Sequence, residues 1–318
     1  MSFQIIKTDT ILAGPVNAYF IDSQSILVND AKTNPLISVF NIQTGRNEFQ
    51  TATIGNGPNE LFPPIRTTMV DSTLYILNLA DKKVYISNLI DRTLNEVAIL
   101  SKDVMGIYYI SSHQKFIAPV MPVLTDSDEV YPYAYVYDKD FNKVQELESF
   151  ATLWDKEKNF DRSVLSKFHQ IQGIASVDDG GIAILEAHVL RLYHYTKGAY
   201  IHKQDILLSP YEYDVYPASK QMMLPHTKLK DGYMKGAKDI VAYGNNILLS
   251  VDTDIKGVDS SLQNVELWLM DCDGKHLNTY IPDIPVCSYP LAVSKEGSVL
   301  MMTDDENMSL AVTRFPHL

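Results

Sequence analysis

Two cysteines, Cys272 and Cys287, are all the chain carries, so no disulfide framework can hold it together. They are free to pair with each other, and two cysteines alone assign no redox compartment. No block of five or more like charges occurs, and 27 Lys and Arg stand against 39 Asp and Glu for a net charge of −12. Phosphate binding rests on clustered Lys and Arg, so this balance speaks against nucleic acid as a partner. The same holds for an anionic membrane surface, and the simplest reading of the acidity is solubility. No apolar run approaches the roughly 18 to 20 residues that would span a bilayer. The first residues, MSFQIIKTDTIL, show no basic stretch followed by an apolar one, so no signal peptide is expected. As written, the sequence reads as cytoplasmic; a trimmed secretory or lipoprotein signal would make it periplasmic or envelope-associated. Catalytic signatures are also missing: no G-x-S-x-G elbow, no Walker or dinucleotide glycine pattern, no reactive-cysteine context. Nothing sustains a 3.6-residue apolar period, which argues against a doubly wound α/β fold.

What is present is a repeat. Six segments share one form, an apolar strand that in five of the six ends in polar residues: SILVND (Ser25–Asp30), TLYILN (Thr73–Asn78), QKFIAPV (Gln114–Val120), GIAILE (Gly181–Glu186), NILLSVD (Asn246–Asp252) and SVLMMTDD (Ser298–Asp305). Each reads as the second strand of a unit, and successive members stand about 42 to 66 residues apart, a period in the forties once insertions are removed. Third strands are alternating or aromatic-rich, as in LISVFNI from Leu36, KVYISNL from Lys83, YAYVYD from Tyr133, VLRLYHY from Val189 and VELWLMD from Val265. Val, Ile, Tyr and Phe suit a pleated, half-buried surface. Turn dipeptides lie between strands, among them Gly244-Asn245, Asp273-Gly274 and Glu296-Gly297, supplying the positive φ of tight hairpins. The expected fold is therefore all-β: a six-bladed β-propeller of four-stranded antiparallel blades, one domain over residues 1–318.

The two ends explain each other. After Ser298–Asp304 only one further strand, Met308–Arg314, fits, so the last blade lacks an outer strand. Phe3–Ile11 is an orphan strand ahead of the first blade. Pairing the two closes the ring and removes two open sheet edges. Two insertions break the rhythm. Residues 150–170 are charged, with spaced apolar residues (Leu153, Trp154, Phe160, Val164, Leu165, Phe168) that suit a short amphipathic helix. Residues 209–236 hold PYEYDVYP and KQMMLPHTKLKDGYMKG and read as an ordered loop over one face; long insertions in compact folds are often functional.

One short loop carries a family resemblance. Ile54–Pro63, IGNGPNELFP, resembles the G-x-G-P-x-E-[FL] loop of the TolB-like six-bladed propellers, relatives of the NHL-repeat propellers. Gly55, Gly57, Pro58, Glu60 and Leu61 match it. Asn59 stands where the family more often has Gly, a mild departure because Asn tolerates positive φ. The resemblance implies a propeller, often from a secreted or envelope-associated bacterial protein, and implies little about activity because fold is not function.

In propellers of this kind the loop after each second strand opens onto one channel mouth. Those positions are Asp30, Asn78 with Asp81, Glu186 with His188, Asp252 with Asp254, and Asp304 with Asp305. Two readings of them stand side by side. Each Asp or Asn caps its own turn, or the set forms a ring facing a ligand. In the second reading, Asn78, Glu186, Asp252 and Asp304 would be the ligands of a Ca²⁺ ion, as in other six-bladed propellers whose channel calcium serves a hydrolase or lactonase. The segment from Asp252 to Gln263 fails as a calcium loop of its own, with Lys256 fifth and Gln263 twelfth where oxygen ligands are needed. His188 and His194 are six residues apart on one strand, about 20 Å, too far to share a metal. His169 and His226 fall within or beside the insertions and read as surface or structural. Tyr211, Tyr213 and Tyr216, with Trp154 and Met222–Met223, either form an aromatic lip over one mouth or pack the insertion onto the disc. The leading expectation is a binding module without catalysis and without a cofactor, taking a small polar ligand, a glycan or a protein segment.

Overall fold

The computed structural model describes residues 1–89, 93–120, 132–149, 171–177, 180–216, 226–258, 264–306 and 308–315; for residues 148, 149, 213, 215, 216, 226 and 227 only the backbone is described. The expected helix in residues 150–170 lies outside the described residues. Six antiparallel sheets of four strands make up the fold. Blade one comprises Pro15–Phe20, Ser25–Asp30, Ile37–Asn41 and Asn47–Thr51; blade two Ile65–Val70, Thr73–Asn78, Lys83–Asn88 and Leu94–Ile99. Blade three comprises Tyr108–Ile110, Lys115–Pro119, Pro132–Tyr137 and Lys143–Ser149; blade four Gly173–Ser176, Ile182–Leu185, Val189–Thr196 and Ala199–Leu207. Blade five comprises Met234–Tyr243, Asn246–Ile255, Val265–Asp271 and His276–Tyr280; blade six Ala292–Val293, Ser298–Met302 and Leu310–Arg314. The first strand of every blade touches that of the next, and the sixth touches the first, so the first strands ring a central axis.

Burial follows position within the blade. Second strands such as Ser25–Asp30 and Ser298–Met302 are buried on both faces, because each lies between two neighbouring sheets. That explains their unbroken apolar runs where a half-exposed strand would alternate. Fourth strands such as Leu94–Ile99 and His276–Tyr280 are mostly exposed, Val97 and Ile99 among the exposed apolar side chains. Six apolar clusters fill the six inter-blade spaces, from Leu27, Leu74 and Ile76 between blades one and two to Ile26, Leu300 and Met302 between blades six and one.

The ring closes through the N-terminus. Gln4–Ile6 pairs antiparallel with Leu310–Arg314 as the outer strand of blade six, in the register Gln4↔Val312, Ile5↔Ala311, Ile6↔Leu310. The paired stretch is shorter than the Phe3–Ile11 segment that the sequence offers. Turn chemistry holds as well: Gly274 has φ +76°, and a Cβ there would lie 1.8 Å from Ile206 Cδ1, so both backbone and packing demand glycine.

Candidate functional site

Strand direction sorts the connections onto two faces. One carries the turns joining first to second and third to fourth strands, each only two to five residues long. The opposite face carries the connections between second and third strands and between blades, up to the 26 residues 208–233. Every long connection is therefore on one side, together with every strand end singled out in the sequence. Part of the Tyr-rich insertion folds as a hairpin, Tyr213–Tyr216 against His226–Leu229.

On this face Asp30 is 2% exposed and accepts from three backbone amides, Ala13 (2.7 Å), Gly14 (3.1 Å) and Lys32 (2.9 Å). It ties the entry into blade one to the exit from its second strand. Asn78 Oδ1 accepts from the Ala80 amide at 2.9 Å, and exposed Asp81 from Lys83 at 3.2 Å. Asp304 is exposed, with Cys287 Sγ 3.9 Å from its Oδ1. Burial, then the Asp304 carboxylate, push the Cys287 thiol up to about 11. Cys272 lies in a turn on the opposite face, and the two cysteines are not joined in a disulfide.

Blades four and five are denser. Glu186, 2% exposed, receives Arg191 Nε at 2.6 Å and the Tyr133 hydroxyl at 2.6 Å. Arg191 also gives Nη1 to Asp205 at 2.7 Å. Burial opposes the charge on Arg191, and Glu186 nonetheless raises its pKa. His188 Nδ1 is 2.8 Å from Ser209 Oγ, and its ring stacks on Tyr211 at 4.8 Å. Burial, with Lys238 nearby, pushes His188 down to about 4, so the ring is uncharged at neutral pH. Asp252 and Asp254 share Lys235, whose Nζ is 3.7 Å and 3.0 Å from them, and burial raises the Asp252 pKa against that cation. The side chains of Tyr213 and Tyr216 lie outside the described residues, as do Trp154, His169, Met222 and Met223.

Glu186 and Asp252 thus each face a cation of the protein itself. Among the described residues no three His, Cys, Asp or Glu side chains gather in a way that could hold a metal ion. A calcium ion on these residues would have to displace Arg191 and Lys235, so no chemical step is derived through one. The cationic partners were not read from the sequence. Their one signal there is a charge inside an apolar strand, as in VLRLYHY.

The glycine loop is a construction of its own. Thr53–Ile54 pairs parallel with Glu60–Leu61, and Glu60 turns back to accept the Gly57 amide at 2.6 Å. A Cβ on Gly55 would lie 2.1 Å from Glu60 Oε2, so glycine there makes room for the carboxylate. Asn59 takes φ +64° and its Oδ1 accepts from the Leu94 amide at 2.7 Å. The loop clamps blade one to blade two.

Relatives bear on the fold. Among proteins of curated function none matches the chain in sequence. A Bacteroides fragilis protein provisionally described as exported superposes with a TM-score of 0.60 at 12% identity, over 99% of this chain and 95% of its own. The U3-55K protein superposes with a TM-score of 0.57 at 8% identity, over 98% of each chain. Both likenesses concern architecture alone. No helix among the described residues is long and apolar enough to cross a membrane. The profile described as TolB-like 6-blade propeller-like matches residues 4–294, which include the clamp loop and all or part of every blade, and the chain belongs to that family.

Proposed function

We propose that this chain is a non-enzymatic binding module that receives a small polar ligand, a glycan or a protein segment on its long-loop face. The observation that carries this reading is the asymmetry of the disc: tight turns on one side, every long connection on the other. Binding residues concentrate on loops held by a rigid scaffold, and here the scaffold is the six-blade ring. The strand-end carboxylates support binding over chemistry, because Asp30, Glu186 and Asp252 hold the loops in shape through partners within the protein. Tyr211, stacked on a neutral His188, offers a rigid aromatic surface of the kind that sugars and peptides use.

The test is a glycan and peptide screen, followed by amide hydrogen exchange with the best binder. Protection is expected in residues 52–64, 208–216 and 226–233. Tyr211→Ala is expected to weaken binding by about tenfold or more with an unchanged thermal melt. Protection confined to the tight-turn face would overturn the assignment.

A further inference from the structure

Asn29 is a polar side chain at a position where its strand packs apolar ones. It stands in the second strand of blade one and is fully buried. Side chains alternate along a strand, so Asn29 points the same way as Leu27, which packs with Leu74 and Ile76 in the seam between blades one and two. Among the described residues neither its Oδ1 nor its Nδ2 has a hydrogen-bond partner. Both halves of one amide are thus unmet at zero exposure, which is rare in a folded chain.

The surroundings of Asn29 are polar on one side only. Toward the rim it pairs with Ile37, also fully buried. Toward the axis it pairs with Asn17 of the first strand. Directly opposed residues bring their Cβ atoms within about 4.5–5.5 Å, so the two amides are neighbours on one face of the sheet. Asn17 in turn meets blade two, its Oδ1 lying 3.4 Å from the Thr67 hydroxyl. Thr67 is 3% exposed, and the other side-chain contact of its hydroxyl is the Tyr19 phenol oxygen at 3.5 Å. Both distances are long for an O–H···O bond, which is ordinarily about 2.7–2.8 Å. The hydroxyl of Thr67 is therefore weakly held, beside an amide that is not held at all.

We propose that Asn29, Asn17 and Thr67 enclose an internal water molecule that joins blade one to blade two. Water suits the site because it both donates and accepts, as the Asn29 amide requires. A cation would serve Oδ1 and face the Nδ2 hydrogens, and an anion would do the reverse. None of the three side chains carries charge to favour either ion. Buried waters take about two to four polar partners, the number that these residues supply. The site is separate from the long-loop face and stands or falls apart from it.

A crystal structure of the whole chain, at a resolution that orders internal water, tests this. Density is expected within about 2.7–3.2 Å of Asn29 Oδ1 or Nδ2, with a second contact to Asn17 or Thr67. An Asn29 amide turned onto a protein group, or a seam closed without such density, would overturn the proposal. Thermal melts put the same question in solution. Asn29→Leu, a change of similar size, removes an amide that water satisfies, so the midpoint is expected to stay or fall. A midpoint raised by about 2 °C or more would show that the amide had been buried unpaired, and no shared water could then stand.

Discussion

Removing residues 1–7 takes away the outer strand of blade six and two anchors with it. Phe3, 7% exposed, packs with Leu248, Leu267 and Val299 between blades five and six. Ile6, 6% exposed, packs with Ile26, Phe40 and Leu310 between blades six and one. The strand therefore stitches both interfaces of the closing blade. At about 1.5–3 kcal/mol for each buried side chain, the deletion removes about 3–6 kcal/mol from burial alone. It also breaks the ladder to Leu310–Arg314 and bares that strand as an open edge. Against a typical stability of about 5–15 kcal/mol, such a loss is large. Urea denaturation followed by tryptophan fluorescence, with size-exclusion chromatography for self-association, reads both effects. Single substitutions sharpen the test. Phe3→Ala and Ile6→Ala should each lose about 2–5 kcal/mol, whereas Ile5→Ala, at a residue 48% exposed, should stay within about 0.5 kcal/mol. An unmoved midpoint in the deletion, or a loss at Ile5 equal to that at Ile6, would refute the closure energetics.

Three other outcomes follow from the geometry. Arg191→Met leaves Glu186 buried without its cation and should lose about 3–5 kcal/mol in a denaturant melt, with Glu186→Gln added to it recovering part of the loss. Gly55→Ala and Glu60→Ala should each destabilise the clamp loop, yet their double mutant should lose less than the sum, because the new Cβ then has no carboxylate to strike. Burial pushes Asp239 from the ordinary 3.8 up to about 7, so the folded chain holds a proton that the unfolded chain has released. Stability should thus fall as pH rises from about 4 to about 7, the amides of Ile240 and Leu291 pulling the other way, and Asp239→Asn should flatten that slope in thermal melts. His188, pushed down to about 4 from 6.5, works in the opposite sense, its contribution being lost as pH falls below about 6.5.

The frame of the propeller was legible because it rests on local signals. Second strands betray themselves as short apolar runs, ending in Asp, Asn or Glu in every blade but the third, since burial on two faces removes alternation and the exit turn needs a cap. The N-terminal strand was legible by subtraction, one strand short at one end and one in excess at the other. Asn59 could be read as a residue in positive φ from its place between matched motif positions. The partners of the strand-end acids were not legible. Glu186 and Arg191 meet because a tight turn joins their strands, and Glu186 and Tyr133 meet because blades three and four adjoin. First strands such as Tyr108–Ile110 and Ala292–Val293 are too short to announce themselves.

The long-loop face and the ring of first strands differ in what holds them. The long-loop face is built from connections whose lengths range from three to 26 residues, so its shape changes with each insertion and its ligand with it. The ring inside it stands on first strands such as Ile65–Val70 and Met234–Tyr243, each hydrogen-bonded to a largely buried second strand. Groups on such strands hold position without reorganising, which favours recognition of a small molecule by few contacts. Acidity has a different meaning in the two places. At the strand ends, carboxylates are matched by backbone amides, Arg191 or Lys235 and keep the loops in place. On the first strands, Asp239 accepts two amides and Arg66 donates to a carbonyl, and neither has an ion-pair partner among the described residues.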